Sequence, residues 1–138
     1  PFHCADALLE ELRAKEGDAL PVLVDFHAEA TSEKKALALY LDGRVSAVLG
    51  THTHVQTADE QILPGGTAFL SDVGMTGGHG GVIGVTTETV LPRYLTGLPS
   101  RFEVCGESPC VNAAVLEVDE STGAAVRIVR VFRRMDSP

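Results

Sequence analysis

Gly50-Thr51-His52-Thr53-His54-Val55-Gln56 decides how the chain is read, because it follows directly on the apolar run Val45-Ser46-Ala47-Val48-Leu49. An apolar run that stops at Gly-Thr-His describes a buried strand opening at a site. Residues i and i+2 of an extended segment project to the same side. His52 and His54 therefore look into one cavity and are candidate metal ligands. An H-x-H pair also arises by chance, so its meaning depends on what surrounds it.

Upstream, Pro21-Val22-Leu23-Val24-Asp25-Phe26-His27 is dense in apolar and β-branched residues and predicts a strand. Apolar residues on consecutive positions predict burial on both faces, as in a central strand of an α/β sheet. His27 stands where that strand ends. Between the two strands, Thr31 or Ser32 is expected to cap a helix bearing Ala36, Leu37, Leu39, Tyr40 and Leu41, closed by Asp42-Gly43. A strand-helix-strand unit makes its strands parallel. His27 and His52 then meet at the carboxyl edge of the sheet, where open α/β sheets bind ligands. The fold class is α/β, a mixed sheet with flanking helices.

The other segments follow from the same patterns. Asp6 to Lys15 reads as a surface helix with Asp6 as its N-cap. Glu60 to Leu70 reads as two short strands about the Pro64-Gly65-Gly66 turn, and Ser71 to Gly81 as a glycine-rich loop, either a plain connection or a wall of the site. That loop has neither a G-x-G-x-x-G nor a Walker pattern. Its His79 has no motif around it and is expected in solvent. A short helix is expected over Thr86 to Leu95 and an extended segment over Leu98 to Val104. Val111–Val118 and Ala125–Arg133 form a hairpin about Asp119 to Gly123, with Arg127, Arg130 and Arg133 read as a solvated face.

The chain's 138 residues, 44% apolar and 22% charged, suit one compact domain and exclude a disordered segment. No apolar run approaches the roughly 20 residues of a membrane helix, so no membrane role and a cytoplasmic location are expected. Three cysteines, Cys4, Cys105 and Cys110, lack C-x-x-C spacing and read as reduced structural thiols. A net charge of -8 argues against a surface that tracks long nucleic acids. It leaves room for a small anionic substrate drawn in by bound divalent ions, and for self-association into a homo-oligomer.

Three histidines, His27, His52 and His54, thus converge on one sheet edge. Imidazole ligands suit Fe, Mn or Zn, and two ions about 3.5–4 Å apart would be spanned by imidazoles at i and i+2. The reaction class that follows is hydrolysis of a phosphate ester.

The strings Val24-Asp25-Phe26-His27-Ala28-Glu29-Ala30-Thr31-Ser32-Glu33-Lys34, Gly50 to Glu60, and Leu70-Ser71-Asp72-Val73-Gly74-Met75-Thr76-Gly77 resemble the bacterial YmdB-type metallophosphoesterases of the calcineurin-like fold. The resemblance covers essentially the whole chain. It implies a two-sheet α/β sandwich with a dinuclear metal centre that hydrolyses small phosphodiesters such as 2′,3′-cyclic nucleotides. It makes His27 and His52 ligands of one ion and His54 a ligand of the other, with Glu29, Thr53 and Asp72 as candidate substrate contacts.

The family's amino-terminal half supplies an Asp, a bridging Glu in a Glu-Asn pair, and a Gly-Asn-His segment carrying an Asn ligand and the catalytic His. Neither Glu-Asn nor Gly-Asn-His occurs here. Residues 1–138 are therefore expected to be the carboxyl-terminal half of one metallophosphoesterase domain, holding no catalytic proton donor and inactive by itself. Two neighbouring alternatives remain at this point: a capsule-biosynthesis-type calcineurin-like protein, and a non-catalytic regulatory module of the same fold. An amidohydrolase would also use H-x-H, but on the first strand of a long barrel.

Overall fold

Two parallel strands, β1 (Leu23–His27) and β2 (Ala47–Thr51), run side by side with His27 opposite Thr51, and α2 (Thr31–Tyr40) crosses between them. The βαβ unit read from the sequence is therefore present, with both histidine-bearing ends on one edge. A computed structural model describes residues 1–18 and 20–135 of the chain. In order, the elements are α1 (Phe2–Glu16), β1, α2, β2, β3 (Gln61–Ile62), β4 (Ala68–Leu70), β5 (Gly77–Gly78), α3 (Thr87–Thr96), β6 (Pro109–Val118) and β7 (Ala125–Arg134). A mixed sheet has the order β1-β2-β4-β3, with β4 parallel to β2 and β3 antiparallel to β4. A second, antiparallel sheet has the order β5-β6-β7.

Period-2 alternation sorts the side chains of the mixed sheet between two layers. Val24, Phe26, Val48 and Phe69 pack with Leu9 of α1 and with Leu37, Ala38 and Leu41 of the α2 segment. On the opposite face Ala47, Leu49 and Ala68 meet Leu116, Ala125 and Ile128 of the second sheet. Small residues at 47, 68 and 125 let the two sheets approach closely. This is the α/β sandwich that the family resemblance implies.

Several expectations need correcting. β1 is not buried on both faces: Val24 and Phe26 turn inward, but Leu23 is 55% exposed and Asp25 and His27 are exposed. The cause is its position, since β1 forms one edge of the described sheet while β7 packs over β3 and β4. Asp6 does not cap α1, which starts at Phe2; its carboxylate instead accepts hydrogen bonds from the Tyr40 hydroxyl at 2.7 Å and Arg44 at 2.6 Å. Those donors hold the Asp6 carboxyl below the usual carboxylate range, Tyr40 first and Arg44 next. The N-cap of α2 is Ala30, in an extended conformation without a side-chain cap; Thr31 is already helical and Glu33 meets the positive helix end.

The glycine-rich loop contains the short strand β5, paired with Cys110 and Pro109 of β6. Arg130 does not share a face with Arg127 and Arg133. Strand alternation sets it inward with Ile128 and Phe132, where it pairs with Glu60 at 2.7 Å. Cys4, Cys105 and Cys110 are free thiols, the last two buried. Among the described residues no helix is long and apolar enough to cross a membrane.

Candidate metal centre

His27 and His52 meet at the strand edge. His27 Nε2 lies 3.0 Å from His52 Nδ1, and the rings stand nearly perpendicular at 78° with centroids 4.9 Å apart. Two imidazole nitrogens this close would fit the coordination sphere of a single ion.

Each ring is fixed by its far nitrogen. His27 Nδ1 lies 3.0 Å from Thr51 Oγ1, whose hydroxyl donates to Asp25 Oδ1 at 2.9 Å. With its hydrogen spent on Asp25, Thr51 Oγ1 accepts from His27 Nδ1–H, which leaves a lone pair on Nε2. His52 Nε2 contacts Glu29 Oε2 at 2.5 Å, a carboxylate-imidazole pair of the kind that orients metal-bound histidines. His54 is held separately: its Nδ1–H donates to the Ile83 carbonyl at 2.9 Å, which leaves a lone pair on its Nε2. His54 therefore stands apart from the His27–His52 pair. Among the described residues no three His, Cys, Asp or Glu side chains converge on one point. The two nitrogens of His27 and His52 would fill part of one ion's shell.

The loop holding these rings is built against its own backbone preference. His52 has φ 127° and His54 φ 64°, in a region L side chains rarely enter. Between them the Thr53 N–H donates to Asp72 Oδ2 at 2.9 Å, and the same oxygen receives Lys34 Nζ at 3.0 Å. Asp72 Oδ1 takes the Gly74 N–H at 2.9 Å. Both Lys34 and Asp72 are 1% exposed. Burial pushes the Asp72 carboxyl up, but the Thr53 and Gly74 amides and the Lys34 ammonium outweigh it and hold the carboxyl below its ordinary range. Gly50 permits this approach, since a Cβ there would stand 1.8 Å from the Ser71 carbonyl oxygen and 2.8 Å from Lys34 Cδ.

Asp72 is thus a buried anchor of the histidine loop and is not placed to touch substrate, contrary to expectation. Thr53 hydrogen-bonds within its own loop, to the Val55 carbonyl at 3.2 Å, and Glu29 is 83% exposed with one oxygen on His52. His79 is also not in open solvent. It is half-buried, its ring against Phe132 at 6.0 Å and its Nε2 3.3 Å from the Met75 carbonyl. Sequence reasoning missed Lys34 and Thr51; a lysine in an amphipathic helix carries no sign of burial, whereas Thr51, directly before His52, was legible as a strand-end hydroxyl.

The chain is 50% identical over 132 residues to a 2′,3′-cyclic-nucleotide 2′-phosphodiesterase of Bacillus subtilis, covering 96% of this chain and 49% of that protein. It is 40% identical to a putative phosphatase/phosphodiesterase of Mycoplasma pneumoniae, covering 95% of this chain and 47% of the relative. The chain thus spans about half the length of the curated relatives it matches. Among solved structures it superposes on a hypothetical protein from Thermus thermophilus with a TM-score of 0.89 at 48% identity, covering 99% of this chain and 51% of the other. A phosphatase from Mycoplasma pneumoniae gives 0.84 at 40%, covering 100% and 48%. The family model described as YmdB-like protein matches residues 1–131, across the βαβ unit, the histidine loop and the second sheet alike, and the chain belongs to that family.

Proposed function

We propose that this chain is the carboxyl-terminal half of a phosphodiesterase domain that hydrolyses small phosphodiesters such as 2′,3′-cyclic nucleotides at a dinuclear Fe, Mn or Zn centre. The observation that carries the reading is the 3.0 Å approach of His27 Nε2 to His52 Nδ1 at the carboxyl edge of parallel strands. His27 and His52 would hold one ion and His54 the other. Such ions supply a Lewis acid for the phosphoryl oxygens and an activated water.

The chain's own residues present and orient nitrogen donors. Asp25 and Thr51 set the His27 tautomer, Glu29 steadies His52, and the Ile83 carbonyl steadies His54. Similarity to a 2′,3′-cyclic-nucleotide 2′-phosphodiesterase supports the substrate class. A net charge of -8 favours a small substrate over a long nucleic acid, and a cytoplasmic location is part of the same proposal. No proton donor to the leaving group is assigned to these residues. The full-length protein is expected to hydrolyse 2′,3′-cyclic AMP and to lose that activity in His52→Ala, while residues 1–138 alone turn over nothing. Turnover by the isolated segment, abolished by His52→Ala, would overturn the half-site reading.

A further inference from the structure

We propose that the concavity beside His54, walled by Phe132 and His79, receives the nucleobase of the substrate. The proposal rests on the phosphodiesterase reading for the phosphate end of that substrate. The cavity has a volume of about 400 Å³, and His54, Gln56, His79, Asn112, Arg130 and Phe132 line it. His54 belongs to this wall and is also the residue proposed to ligate the second ion, which places the cavity beside the proposed phosphate end of the substrate.

Phe132 is the one aromatic residue in the β5-β6-β7 sheet. It lies on the inward face, directly opposite Asn112, yet it is 50% exposed and belongs to neither core cluster. His79 meets it at 65°, so two rings form a corner with aromatic surface left open. Such a surface is a stacking platform for a base.

The polar wall sharpens the ligand. Gln56 Nε2 is held by the Val73, Ala113 and Val131 carbonyls at 3.3, 3.1 and 3.2 Å, which locks the floor. Asn112 is 8% exposed; its Nδ2 donates to the Met75 carbonyl at 2.9 Å, while its Oδ1 is buried with no partner among the described residues. Arg130 is already paired with Glu60, so the cavity is charge-balanced and suits a neutral planar group over a second phosphate.

The test uses the full-length protein with 2′,3′-cyclic AMP and with ribose 2′,3′-cyclic phosphate, which lacks a base. Phe132→Ala is expected to lower the ratio of kcat/KM for the nucleotide to that for the base-free analogue by about tenfold or more. Phe132→Trp should keep the ratio. In saturation-transfer NMR the wild type should pass magnetisation to the adenine protons, and Phe132→Ala should not. An unchanged ratio in Phe132→Ala, or no transfer to the base from the wild type, overturns the proposal. Transfer to the base that depends on Phe132, without turnover of either compound, leaves the base site standing and refutes the phosphodiesterase reading instead.

Discussion

Lys34 Nζ lies 3.0 Å from Asp72 Oδ2 with both side chains 1% exposed, and that same oxygen accepts the Thr53 N–H that joins the two histidines of the loop. A buried pair of this kind costs desolvation on both sides, so removing one partner strands a charge. Lys34→Met or Asp72→Ala alone should destabilise the protein by about 3–5 kcal/mol in urea unfolding. The double variant should cost less than the sum of the two. It should still bind metal more weakly than wild type, because Thr53 has lost its acceptor.

The pH dependence follows from the same carboxylate. Asp72 and Asp59 both titrate below the ordinary range: burial raises each, but amide and Lys34 donors outweigh it at Asp72, and Thr57 and Ser71 donors at Asp59. A depressed folded value means the stabilisation is complete above the unfolded value of about 4 and is lost as pH falls through the folded one. Stability should therefore hold from pH 7 to about 5 and drop below about 4, measured as the urea midpoint. Asp72→Asn should flatten the drop, and a loss complete above pH 5 would rule these carboxylates out as its cause.

Gly50→Ala should be among the most damaging single-methyl additions in the chain. The new carbon meets the Ser71 carbonyl oxygen at 1.8 Å, and backbone cannot rotate away as a side chain can. A loss of about 3 kcal/mol or more is expected in denaturant unfolding. A cost below about 1 kcal/mol would show that β2 and the Ser71 segment can separate freely.

Thr51→Val removes the hydroxyl between Asp25 and His27 while keeping the side-chain volume. The expected result is metal affinity weaker by about 10–100-fold, with stability changed by less than about 1 kcal/mol, since the site is exposed at the strand end. Mn or Zn titration followed by calorimetry measures the first and thermal unfolding the second.

Much of this was legible in the sequence because it is local. Val24 to His27 and Val45 to His52 carry strand patterns, the helix between them forces parallel pairing, and His27 and His52 must then share an edge. What was not legible depends on partners far along the chain. Lys34 finds Asp72 across 38 residues, and Arg130 turns inward to Glu60 because alternation over an odd number of positions separates it from Arg127 and Arg133. The consecutive apolar residues of β1 do not say how far the second sheet reaches, and β1 lies at an edge beyond it. His79 lacked any motif, and only the hairpin register that brings Phe132 beside it gives it a place.

Metal content of the purified full-length protein tests the central claim most directly. Elemental analysis should find two transition ions per chain in the wild type, a loss of one site in His54→Ala, and a loss of the other in His27→Ala and His52→Ala alike. No bound transition metal in the wild type, or full metal occupancy in His52→Ala, would contradict the assignment of these histidines to a dinuclear centre.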